Sequence, residues 1–173
     1  MQAKLLLILA AAVAPTLVHA QARAPARPAA AAPKSIGTFD DWQGATHQEA
    51  GQLVCYAFTR ASASTPALPG RGDVVLTVTQ RTGGRDAVAI SAGFAYAASA
   101  EVQVGVGDTN LAFYTANRSA FARDGKASVA AFEKGRTAIA RSPGPRVPTV
   151  SDTFSLRGFS AAYAAINRAC PAK

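Results

Sequence analysis

No apolar run in this 173-residue chain is long enough to cross a bilayer. The best one, Leu5 to Val13, falls well short of the roughly 20 residues a spanning helix needs, so no transmembrane segment is expected. Histidine is nearly missing: His19 and His47 are the two present, which excludes His-rich metal sites. His47-Gln48-Glu49 has the spacing of a zinc-deaminase H-x-E, but the P-C-x-x-C partner is absent. There is no G-x-S-x-G nucleophile elbow and no G-x-x-x-x-G-K-[ST] phosphate loop. The glycines at Gly105 and Gly107 join two strand-like segments instead of opening a helix, which makes a turn and not a dinucleotide fingerprint. Acidic residues number 10 against 18 lysines and arginines, and most stand at turns or helix starts, where a carboxylate caps. No catalytic kit, metal site or cofactor motif emerges, and the expectation is a protein that is not an enzyme.

What is present begins with a secretory leader. Lys4 supplies the positive end, Leu5 to Val13 the apolar stretch, and Val18-His19-Ala20 the small residues of a cleavage site, so residues 1–20 read as a signal peptide. No cysteine follows that site to carry a lipid anchor, and the expected location is periplasmic or secreted. Residues 21–35, rich in proline and alanine with nothing to bury, read as a disordered spacer. Residues 36–173 then have the length of one ordinary domain. Net charge is +8, of which only Lys4 belongs to the leader. Such a balance favours anionic surfaces, whether nucleic acid, acidic glycans or lipopolysaccharide. The arginines are scattered, however, without the aromatic interleaving of a specific nucleic-acid binder, and a solvated arginine-rich surface is the simpler account.

From Gln52 onward the dominant period is two. In Gln52 to Arg60, Val54, Tyr56 and Phe58 share one face and Leu53, Cys55 and Ala57 the other, which reads as an interior strand covered on both sides. Asp73–Gln80 and Asp86–Ala92 flank Gly83-Gly84 as a hairpin, and Glu101–Gly107 with Asn110–Thr115 form a second around Gly107-Asp108. Asp124 is placed to cap a short helix that Gly135 stops. Strands return at Arg136–Ser142 and Ser151–Leu156. Two proline-containing loops, Ala61–Gly72 and Pro143–Thr149, stand out. Beyond Gly158, Phe159, Ala162, Tyr163, Ile166, Ala169 and Cys170 make one apolar stripe of a closing helix. The fold class expected is mainly β: an antiparallel sandwich or partly open barrel of roughly eight strands, with a short helix and a C-terminal helix packed on it.

Two features carry candidate sites. Cys55 and Cys170 permit a single intramolecular pairing, and neither has an imidazole or CxxC neighbour to make it reactive, so a structural disulfide is expected. It would close a span of 115 residues, worth about 4–5 kcal/mol by chain-entropy arguments. The second is Arg71-Gly72-Asp73, an adhesion-type tripeptide at the end of a long loop, where such a sequence can be displayed; the competing account is that Asp73 merely starts the next strand.

The segments Phe39–Ala61, Lys134–Ser142 and above all Asp152–Cys170 resemble the invasion-associated locus B family of exported bacterial proteins. The marks are Trp42 ahead of Cys55 and the S-L-x-G-F-x-A-A-x-x-A-I run from Ser155 to Ile166. The resemblance implies a mainly β exported domain, associated in pathogens with host-cell invasion, and brings no cofactor or enzymatic activity. The chain lacks further cysteines found in many members, so only one disulfide is in prospect. Together these readings point to an exported envelope protein with a macromolecular partner, on an anionic envelope or host surface. The alternative is a small-ligand, glycan-binding or hydrolytic domain with a cleft.

Overall fold

A computed structural model describes residues 32–172; the expected leader at residues 1–20 and residues 21–31 of the expected spacer lie outside the described residues. The strands are β1 (Lys34–Phe39), β2 (Trp42–Glu49), β3 (Gln52–Arg60), β4 (Ala63–Thr65), β5 (Val75–Arg81), β6 (Gly84–Ser91), β7 (Glu101–Val106), β8 (Thr109–Ala116), β9 (Ser119–Ala122), β10 (Thr137–Ser142) and β11 (Val150–Ser155). Helix α1 (Gly125–Lys134) stands between β9 and β10, and α2 (Phe159–Ala169) follows β11. All the strands belong to one sheet, in the order β1-β2-β3-β5-β6-β9-β8-β7-β10-β11-β4, and every pairing is antiparallel.

That sheet curls back on itself. β4 is the chain continuation of β3 past Ala61 and Ser62, yet it pairs with β11, Ser64 lying opposite Asp152. At the bend the Ala61 N–H donates to the Val74 carbonyl at 2.9 Å and the Ser62 N–H to Thr153 at 2.8 Å. The far end of the sheet is thus brought against a strand near its beginning, which gives the partly open barrel. The inward face follows the period-two pattern: Leu76, Val78, Ile90, Val102, Val104 and Phe113 are buried, with neighbours one residue away turned outward.

The two helices form where their caps and stripes require. The Asp124 carboxylate accepts the Ala127 N–H at 2.8 Å, and the Gly135 N–H closes the far end onto the Ala131 carbonyl. Phe132 of α1 and Phe159 of α2 meet edge to face, 5.5 Å between centroids. α2 buries Phe159, Ala162, Ala165 and Ile166. Its start depends on Gly158, whose φ of 85° is left-handed and whose place leaves no room for a side chain: a Cβ there would lie 2.0 Å from the Phe39 carbonyl oxygen.

The structure departs from the sequence expectation in three places. β1, β2, β4 and β9 join the strands that the period revealed, because polar or very short segments gain strand geometry from their neighbours and not from their own pattern. The first five residues of the loop expected at Ala61–Gly72 are the bend and β4. And β3 is not covered on both sides. Cys55, Ala57 and Thr59 are buried, whereas Tyr56 and Phe58 are only half-buried on the outer face and Leu53 is exposed.

Candidate functional site

Every Phe, Tyr and Trp of the chain except Tyr56, Phe58, Tyr114 and Phe121 is buried in, or packed against, one of the two apolar clusters of the interior. These four lie on the outer face of the sheet. The strand registers set Gln43, Phe58, Thr77, Ala89, Phe121, Tyr114 and Glu101 directly opposite one another on successive strands β2, β3, β5, β6, β9, β8 and β7. Directly opposed residues share a face, so this is one transverse row. Rings stand towards both ends of it, with the small residues Thr77 and Ala89 between.

The rings are held in place by one another. Phe58 stacks on Tyr56 at 5.9 Å with planes 29° apart, and His47 meets Tyr56 edge-on at 5.5 Å. Phe121 and Tyr114 stack at 5.5 Å with planes 28° apart. An arginine borders each pair: the Arg60 guanidinium lies 5.9 Å from the Phe58 centroid and that of Arg123 5.8 Å from Tyr114. Each of these arginines has a carboxylate, Arg60 with Asp73 at 3.3 Å and Arg123 with Glu101 at 2.7 Å. Arg81, beside Tyr56, pairs with Glu49 at 2.7 Å and holds that carboxyl below the usual carboxylate range through its hydrogen bond and charge. Two cavities adjoin the β3 rings. One of about 440 Å³ is walled by His47, Tyr56, Thr77, Thr79 and Arg81, with Ala32 and Pro33 at its rim. The other, about 350 Å³, lies among Gln43, Phe58, Arg60, Ser62 and Ser155.

The residues singled out in the sequence have other places. Cys55 and Cys170 are bonded, with Cα atoms 6.0 Å apart, and fasten the end of α2 to β3. The same helix end is held by Arg85, which donates to the Cys170 carbonyl at 2.7 Å and to the Asn167 side chain. The Tyr163 hydroxyl donates to Asp86 at 2.7 Å; burial and that bond push the phenol above the usual tyrosine range.

Arg71-Gly72-Asp73, the tripeptide expected to be displayed for adhesion, has its three residues in different settings. The Arg71 side chain is 6% exposed, donates to both oxygens of Asp152 at 2.7 Å and to the Ala92 carbonyl at 2.7 Å, and lies 4.9 Å from the Phe94 ring. Gly72 packs against Gly93, where an added Cβ on Gly93 would fall 2.4 Å from the Gly72 oxygen. Asp73 is exposed and faces Arg60. A buried guanidinium with its donors satisfied is a structural clamp, fastening the loop to β11.

Trp42 is likewise interior: it is fully buried, meets Phe159 edge-on at 4.8 Å, and its ring N–H donates to the Ser155 carbonyl at 3.0 Å. That contact ties the two marks of the family resemblance together in one core.

The family described as invasion associated locus B (IalB) protein matches residues 42–167. The crystal structure of invasion associated protein B from Bartonella henselae shares the fold, with a TM-score of 0.56 at 18% identity over 77% of this chain and 95% of that chain. No curated protein matches the sequence. With the family matched across most of the described residues, and Trp42 and the Ser155–Ile166 run inside the match, the chain belongs to the invasion-associated locus B family.

Proposed function

We propose that this family member is exported and acts without catalysis, by binding a macromolecular partner at the bacterial envelope or a host surface through the outer face of its sheet. One observation carries the reading: four aromatic side chains are left out of the core, and all four are gathered on one face. Tyr114 is 45% exposed and the other three rings are partly buried, and apolar side chains gathered on one face are what marks an interaction site, where singly scattered ones do not. Export is supported by the leader at residues 1–20 and by the Cys55–Cys170 bond, which persists in oxidising compartments. Among the described residues no helix is long and apolar enough to cross a membrane.

A hydrolytic reading has less support, because most of the carboxylates have partners within the protein. Asp152 is tied to Arg71, Asp86 to Gln80 and Tyr163, Asp124 to the start of α1, and Asp40 and Asp41 to Arg157. The test is to place a photoreactive phenylalanine analogue at position 58 or 114 in living cells, with position 126 on α1 as the control. Cross-linked species of high mass at 58 and 114, absent at 126, are expected in the exported fraction. Equal yields at all three positions, or a protein retained in the cytoplasm with Met1 in place, would overturn the proposal.

A further inference from the structure

We infer that the outer row is a platform for a neutral oligosaccharide chain, laid across the strands from the Phe58–Tyr56 pair to the Phe121–Tyr114 pair. The inference rests on the outer face being the binding surface and names the chemistry it takes.

Phe58 and Phe121 are three strand intervals apart, across β5 and β6, a separation of roughly 14 Å at the usual spacing of strands. That is too far for one sugar ring and suits several in line. Between them Thr77 and Ala89 keep the floor low, so nothing bulky interrupts a chain lying across it. The rings at either end are fixed by mutual stacking, so little side-chain freedom is lost when a ligand covers them.

The chemistry of the row matches a pyranose chain. The electron-rich face of an aromatic ring attracts the C–H hydrogens on the apolar face of a sugar. The hydroxyls at the sugar's rim need partners on both sides of the hydrogen bond, and the row and its borders supply them: the Gln43 amide and Thr77 hydroxyl within it, and Thr79 and the exposed ion pairs Arg60–Asp73 and Arg123–Glu101 beside it.

Charge separates this ligand from a polyanion. The chain as a whole is basic, but each of the three arginines bordering the rings, Arg60, Arg81 and Arg123, is met by its own carboxylate. A phosphate or sulfate chain on this face would meet those carboxylates and lose much of the counterion-release gain that drives such binding. A neutral chain meets no such opposition.

The experiment uses the disulfide-bonded mature protein and calorimetric titration with β-1,4-linked hexamers of glucose and of N-acetylglucosamine, beside heparin and an oligothymidylate. Saturable binding of a neutral hexamer is expected, little changed between 50 and 300 mM salt. Phe58→Ala and Tyr114→Ala should each weaken it about tenfold, while Phe58→Tyr, which keeps the ring, should retain it. Unchanged thermal unfolding of the variants separates lost binding from lost fold. The inference is overturned by no neutral hexamer binding at millimolar concentration, or by neutral binding indifferent to both alanine variants. Tight, salt-sensitive binding of heparin or the oligothymidylate on this face overturns it as well. If cross-linking at position 58 succeeds while no neutral hexamer binds, the surface reading stands and the glycan reading fails; loss of both removes the surface itself.

Discussion

β3 carries two faces one residue apart, and they have opposite fates. Cys55 and Ala57 turn inward, where they are fully buried and one of them is bonded to the terminal helix. Tyr56 and Phe58 turn outward and touch only each other, His47 and Arg60 among aromatic and cationic partners. Both faces are apolar enough to bury. The difference between them shows that a sheet with two helices to spare can cover one side only, and that the apolar residues of the other stay at the surface.

Breaking the inner face should show the largest effects. Trp42→Ala removes a ring that fills the space between β2 and α2, and a loss of about 3–5 kcal/mol in urea unfolding is expected, enough to unfold a marginal domain. Asp152→Ala leaves the Arg71 guanidinium buried and unpaired, at a cost of about 3–5 kcal/mol. Asp73→Ala, two residues from Arg71 in sequence but on an exposed ion pair, should change stability by less than about 1 kcal/mol. Equal effects of the two would dissolve the distinction drawn between clamp and surface.

Replacing Cys55 and Cys170 together by serine should cost about 2–5 kcal/mol, read as a lower urea midpoint of the variant. Mass spectrometry of the unreduced exported protein should find neither thiol open to alkylation. At the small end, Phe58→Ala and Tyr114→Ala should each shift stability by no more than about 1 kcal/mol, because neither ring packs against the interior. A core-sized loss at either would return these rings to the core and remove them from the proposed binding surface.

Much of the inner face was legible in the chain. The stripe from Phe159 to Cys170, the Asp124 cap and the Gly135 stop are local signals, decided within a few residues, and α1 and α2 follow them closely. The outer face was half legible. Tyr56 and Phe58 were visible as an apolar alternation, but alternation gives the same pattern for a face under a helix and a face under water. β9 carries Phe121 in four residues and had no pattern of its own to read; its strand geometry comes from β6 and β8 on either side.

The amino-acid sequence by itself determined the class of fold, the helix ends, the single possible disulfide and the family marks, because each depends on residue types at short spacing or on elimination. Tertiary structure alone decided which side of β3 is covered, that Arg71 meets Asp152 across 81 residues of chain, and that Phe58 shares a row with Phe121 and Tyr114. Those outcomes depend on register between strands far apart in sequence. A shift of one residue in any of those pairings would turn the rings to the other face, and only the packed barrel selects among them.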